Sequence, residues 1–193
     1  ESVEQIKGES MGTSYSINVL GDERIEQDII DTRLVEINDT FSTWQEDSEL
    51  SQLNRAPVDE WIEVSSELYS MLKQSVEIYQ QTDGYFDPGI GRLIDLWGFG
   101  ASGGRTEAPK REEIEKAFEN SSIRYLSMEN GRVKKIRNIH INLSAIAKGY
   151  AVDEVARLIK MSGIKNFLVE IGGEVVASGS NRGDDWVVGV ERP

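Results

Sequence analysis

The chain has 193 residues, is 38% hydrophobic and 28% charged, and carries a formal net charge of −13 from 34 acids and 21 Lys and Arg. That size fits one ordinary domain over 1–193 with a sizeable core, and no apolar stretch approaches the roughly 20 residues of a bilayer span. So acidic a surface repels polyphosphate backbones and argues against nucleic acid as a partner, while the lack of cysteine removes disulfides, thiolate zinc, Fe–S clusters and cysteine nucleophiles.

In chain order, Tyr15, Ile17 and Val19 alternate with Ser16 and Asn18 behind Met11-Gly12-Thr13, which reads as a turn and a half-buried strand. Over 22–41 the period changes: Ile30, Leu34, Ile37 and Phe41 line one helix face, and Glu26, Asp31, Arg33 and Glu36 lie on the other. A second helix follows Ser65 with the ladder Leu68, Leu72, Val76 and Tyr79, stopped by Asp83-Gly84. Residues 85–100 fit neither period and read as an ordered loop rich in aromatics. Pro109 opens a short helix with Ile114, Ala117 and Phe118. Asn130-Gly131 is a hairpin signal between strands at 125–129 and 132–136.

A third strand is expected at Ile139, Ile141 and Leu143, running into a helix from about Ala145 to Ser162 with the stripe Val152, Val155, Ala156 and Ile159. Strands at 167–171 and 174–178 flank Gly172-Gly173, and a last strand is expected at 186–190. The tally is α+β, with a mixed or antiparallel sheet packed with helices. A strand at the chain end needs a neighbour, so the fold is expected to continue beyond Pro193. The chain opens at Glu1 without the charged and apolar segments of an export signal, so any such signal is expected to be missing or already removed.

Several segments could carry chemistry. At Asn142-Leu143-Ser144-Ala145 a strand gives way to a helix, where free N–H groups, Lys148 and Gly149 would suit a phosphate; the alternative is that Ser144 is an N-cap and Lys148 a solvated side chain. Tyr85-Phe86-Asp87-Pro88 with Leu96-Trp97-Gly98-Phe99-Gly100 could stack on a planar ligand or form a hydrophobic cluster under a loop. Asp87 is either a ligand-binding carboxylate or the cap of its turn, and Trp44 either stacks on a ring or shelters the core. Gly172-Gly173 marks a bulge or a backbone pressed against something. His140, the single histidine, alternates with apolar neighbours and reads as a surface residue. With one histidine and no cysteine, any metal is expected to be a hard ion held mainly by oxygen.

Taken together, Met11-Gly12-Thr13, Phe41-Ser42-Thr43-Trp44 with 47–51 and Asn54, Asp83-Gly84-Tyr85-Phe86-Asp87-Pro88, Leu96-Trp97-Gly98-Phe99-Gly100, the run 143–153 and Ile171-Gly172-Gly173-Glu174 resemble, in this order, the ApbE family. The resemblance implies a magnesium-dependent FAD:protein FMN transferase, which splits FAD, attaches FMN through its phosphate to a threonine of a target flavoprotein and releases AMP. It implies that Met11, Trp44, Tyr85, Phe86, Asp87, Asn142 and Lys148 contact FAD and that the Ala145 carbonyl binds Mg²⁺. Trp44 stands where tyrosine is usual, Asn142 where aspartate is common, and Gly89 and Arg92 where threonine and proline are usual.

Family members are longer, and their remaining magnesium ligands, an aspartate and a threonine near the C-terminus, have no counterpart here. The chain is therefore expected to be the N-terminal portion of the fold, with half a metal site and little or no transferase activity by itself. The resemblance also implies a lipid-anchored protein on the periplasmic, outer face of the bacterial inner membrane. Two alternatives stay open: a non-catalytic flavin-binding module, and a metal-dependent FAD pyrophosphatase that needs no protein acceptor.

Overall fold

The computed structural model describes residues 3–101 and 103–189. They fall into two units, one made of the chain up to Asn38 and from Ile146 onward, the other Asp39–Ala145. Each unit carries its own antiparallel sheet, and the class is α+β as expected.

In the first unit, β1 (Val3–Ser10) and β2 (Thr13–Leu20) pair in register from Val3↔Leu20 to Ser10↔Thr13, leaving Met11-Gly12 as a two-residue turn. Both turn residues have positive φ, 54° and 72°, the geometry that matches strand twist in a tight hairpin. β1 was not expected, because Val3 and Ile6 are its only large apolar residues; its ladder comes from β2 rather than from its own pattern. On the other side of β2 lie β6 (Asn166–Ile171) and then β7 (Glu174–Ser178), all antiparallel.

The alternation sets Tyr15, Ile17 and Val19 opposite Ile171, Val169 and Phe167, and all six are at most 1% exposed. Two helices also bury their apolar stripes. In α1 (Gln27–Phe41) the expected stripe Ile30, Leu34, Ile37 and Phe41 is buried, and in α6 (Ser144–Met161) so is Val152, Val155, Ala156 and Ile159. The polar face of α1 is partly engaged: Tyr15 donates to Asp31 at 2.5 Å, and Arg33 donates to Glu154 of α6 at 3.0 Å. Burial, then the Asp31 hydrogen bond, push the Tyr15 phenol up to about 12.

The strand expected at 186–190 does not form at 186–189. No described strand offers it a ladder; Asn181 and Asp184 instead close a turn by exchanging backbone hydrogen bonds of 2.8 and 3.1 Å. Val190 lies outside the described residues.

The second unit begins with α2 (Glu49–Arg55), capped by Ser48 Oγ, which accepts from the Ser51 N–H at 3.1 Å. α3 (Ser66–Gln81) buries Leu68 and Leu72 as expected, together with Met71 and Ser75. It stops at Asp83-Gly84, where the Gly84 N–H reaches back to the Tyr79 carbonyl at 2.9 Å. Within the expected loop, 91–96 forms a short helix, α4 (Gly91–Leu96): at six residues it needs no periodic stripe, and its opening N–H bonds to the His140 carbonyl at 2.8 Å. α5 (Arg111–Phe118) starts two residues after Pro109 and is tied by the Glu113 carboxylate to the Lys110 N–H at 2.7 Å.

β4 (Leu126–Glu129) and β5 (Arg132–Lys135) form the expected hairpin around Asn130-Gly131, with φ of 50° and 79°. The sheet order is completed by β3 (Ile62–Glu63) as β3-β5-β4.

The third strand expected at 139–143 is not one. Ile139, Ile141 and Leu143 are each fully buried, so the alternation was read correctly, but the only strand-like pairing is an isolated parallel bridge from Ile90 to His140. The backbone groups find irregular partners instead. Asn142 donates to the Pro88 carbonyl at 2.8 Å, and both polar groups of the Ile141 backbone bond to the side chain of Asn54.

Candidate flavin site

In the second unit the structure brings together two of the segments singled out from sequence. The bonds from Asn142 to Pro88 and from Gly91 to His140 lay 88–91 along 140–142, so the Asp87-Pro88 turn sits beside Asn142. Asn142 Oδ1 accepts from the Ser144 N–H at 2.9 Å, so Asn142, rather than Ser144, ties down the start of α6. Ala145 is exposed in the first turn of that helix.

Asp87 does cap its turn. Its Oδ1 accepts from the N–H groups of Gly89 and Ile123, each at 2.8 Å. Gly89 is pressed against that neighbour: a Cβ there would lie 2.2 Å from Ile123 N and 2.3 Å from the Ser122 carbonyl carbon, so backbone occupies the space a side chain would need. Phe86 is half-buried, whereas Tyr85 is 97% exposed and offers an open ring face.

Trp44 does not shelter the core. It is 65% exposed and, with Asn54, Arg55, Arg92, Asp95 and His140, lines a cavity of about 490 Å³. His140 was read as a surface residue, but it is half-buried, and its Nδ1 donates to Asp95 Oδ2 at 2.8 Å. Alternation along 139–141 correctly turned its ring away from the core; what sequence could not show is that α4 brings Asp95 there. Burial lowers the His140 pKa below the usual histidine value, the Asp95 carboxylate opposes this, and Arg92 and Lys135 add to it. The cavity lining carries charge of both signs, Arg55 and Arg92 against Glu46 and Asp95, beside His140.

Met11 and Lys148 belong to the first unit. There the Met11-Gly12 turn and the Gly172-Gly173 turn lie at the same end of the sheet, because Tyr15 pairs with Ile171 and the Gly172 N–H bonds to the Ser14 carbonyl at 3.2 Å. A Cβ on Gly172 would come within 2.8 Å of Thr13 Cγ2 and 3.0 Å of Lys148 Cδ, so this glycine marks a pressed backbone within a tight turn. Lys148 Nζ reaches the Gly172 carbonyl at only 3.4 Å, so among the described residues most of its hydrogen-bonding capacity is unspent.

The model of the ApbE family matches residues 11–193. The chain belongs to the ApbE family. It is 36% identical to the FAD:protein FMN transferase of Vibrio cholerae and 30% identical to that of Haemophilus influenzae, in both cases over 97% of this chain and 58% of the relative. It superposes on the flavin transferase ApbE from Vibrio cholerae with a TM-score of 0.95 at 35% identity, covering 100% of this chain and 64% of that one. The apo form of Pseudomonas stutzeri flavinyl transferase ApbE gives 0.91 at 28% identity, covering 98% and 65%. The chain thus spans somewhat over half the length of the curated ApbE relatives it matches.

Two features of this ApbE chain escaped the sequence reading. In sequence Asn54 stands out only as part of a motif block, and Lys135, 1% exposed, only as part of a hairpin strand. Among the described residues no group of three or more His, Cys, Asp or Glu side chains is placed to hold a metal ion, and Ala145 would offer one neutral carbonyl. That donor set does not make up a magnesium site. No helix among the described residues is long and apolar enough to cross a membrane.

Proposed function

We propose that this protein is an FAD:protein FMN transferase. The observation that carries the reading is the hydrogen-bonded pairing of the Asp87-Pro88 turn with Asn142, since these are two segments that the family resemblance assigns to FAD contact. Exposed rings at Trp44 and Tyr85 suit stacking on flavin or adenine, and the Lys148 ammonium suits a diphosphate.

In the reaction, a threonine hydroxyl oxygen of a target flavoprotein attacks the phosphorus nearest the riboflavin. The bridging P–O bond breaks, AMP leaves, and the hydroxyl proton is lost as the new phosphoester forms. The part of this chain is to bind and orient the dinucleotide and to offset its charge. The described residues do not complete a magnesium site, so no step here runs through the metal. By the same resemblance, the protein works at the periplasmic face of the inner membrane, held by a lipid anchor; cell fractionation with lipid labelling tests this.

The decisive assay incubates the full-length protein with FAD, Mg²⁺ and a target flavoprotein and reads covalent flavin fluorescence on the target in a denaturing gel, alongside released AMP. A fluorescent target with stoichiometric AMP is expected. Flavin quenching without AMP would indicate a binding module, and free FMN and AMP with a dark target would indicate a pyrophosphatase; either result overturns the proposal.

A further inference from the structure

We propose that Asn54 is a positioning residue for the flavin site: its carboxamide holds the Ile141 backbone and thereby sets Asn142 and the start of α6, while the Lys135 ammonium fastens Asn54 from below. This rests on the assignment of Asn142 to FAD contact and adds a residue to that site.

Asn54 Nδ2 donates to the Ile141 carbonyl and Asn54 Oδ1 accepts from the Ile141 N–H, both at 2.8 Å. Such a two-way exchange is what a directly paired residue supplies in an antiparallel ladder. One side chain therefore takes the place of the strand neighbour that 139–143 lacks, and it does so where Ile141 is fully buried and water cannot substitute. The next residue is then held on two sides, by its N–H to Pro88 at 2.8 Å and its Oδ1 to Ser144 at 2.9 Å.

Lys135 supplies the independent sign that this joint is built for placement. Its side chain is 1% exposed, and Nζ donates at 2.6 Å to the Asn54 backbone carbonyl. Taking an ammonium out of water is costly, and an apolar residue would fill the space at less expense if packing were the only need. What the ammonium adds is a directed bond to the last turn of α2, the turn from which Asn54 reaches across. The chain of bonds from Lys135 through Asn54 and Ile141 to Asn142 lies wholly within the second unit.

The test compares wild type, Asn54→Ala and Lys135→Met by FAD titration with flavin fluorescence, at temperatures where circular dichroism shows each folded, and by amide hydrogen exchange. Asn54→Ala is expected to weaken FAD about tenfold or more, and Lys135→Met about threefold, because a displaced binding group loses most of its contribution. Exchange should quicken at 139–145 and stay unchanged in α3 and in the β4–β5 hairpin. A purely structural role would lower the melting temperature yet leave the affinity of the folded protein as it was, and that result overturns the proposal. Should Asn54→Ala fail to fold, Lys135→Met decides: wild-type affinity with wild-type exchange at 139–145 refutes it. If wild type itself binds no FAD, the functional reading fails separately, and unchanged exchange at 139–145 in the variants would refute the positioning role as well.

Discussion

Removing the charge of Lys148 isolates what this residue contributes to the ligand, because it contributes so little to the fold. Among the described residues, its one hydrogen-bond partner is the Gly172 carbonyl at 3.4 Å, the outer limit of a hydrogen bond. It also sits at the start of the second turn of α6, near the positive end of the helix dipole, and the first turn carries no acid to offset it. A cation there is mildly unfavourable, by a few tenths of a kcal/mol. Lys148→Ala should therefore leave stability unchanged or raise it slightly. A charge-assisted hydrogen bond to a phosphate contributes about 1.5–3 kcal/mol, which corresponds to a loss of about 10- to 150-fold in Kd. The assay is quenching of flavin fluorescence at fixed ionic strength, with Lys165→Ala, an exposed lysine of the same unit, as control. Wild type should also lose affinity more steeply than Lys148→Ala as salt shortens the screening length from about 10 Å at ~0.1 M to about 3 Å at ~1 M. Superimposable titration curves for Lys148→Ala and wild type, with the fold intact, would refute the reasoning.

Three further outcomes are expected. Burial holds His140 below its ordinary pKa, so the unfolded chain binds the extra proton and stability should fall as pH drops below about 6.5; His140→Gln should flatten that slope in urea denaturation between about pH 7 and 5, and equal slopes would contradict the assignment. Tyr15→Phe removes the donor to Asp31 and the acceptor for Gln27, at a cost of about 2 kcal/mol. Because the phenol is raised to about 12, wild type should also lose stability as pH rises from about 10 toward 12; this loss, followed by denaturation together with phenolate absorbance, should shrink in the variant. Gly89→Ala places a methyl group 2.2 Å from a backbone nitrogen, so it should destabilise by about 3 kcal/mol and loosen the Asp87 turn; a melting temperature within a degree of wild type would show that the 122–123 backbone yields.

What the sequence determined alone is what a few consecutive residues encode. Asn130-Gly131 demands positive φ at both positions, Asp83-Gly84 ends a helix, and the stripes Ile30, Leu34, Ile37 and Val152, Val155, Ile159 repeat with the helical period, so each was legible and each is present. The ordered blocks that resemble ApbE were legible for the same reason, since each lies within a short stretch. Only tertiary structure could choose partners between distant segments. The alternation at Ile139, Ile141 and Leu143 correctly announced burial, but whether a ladder formed depended on Asn54, 87 residues from Ile141. β1 exists because β2 pairs with it; His140 is half-buried because α4 brings Asp95 to it; Lys135 is buried because the end of α2 offers a carbonyl. A period records which side of an element is apolar. It carries no record of which polar group, brought close by chain closure, will satisfy a backbone amide or an ammonium once water is gone.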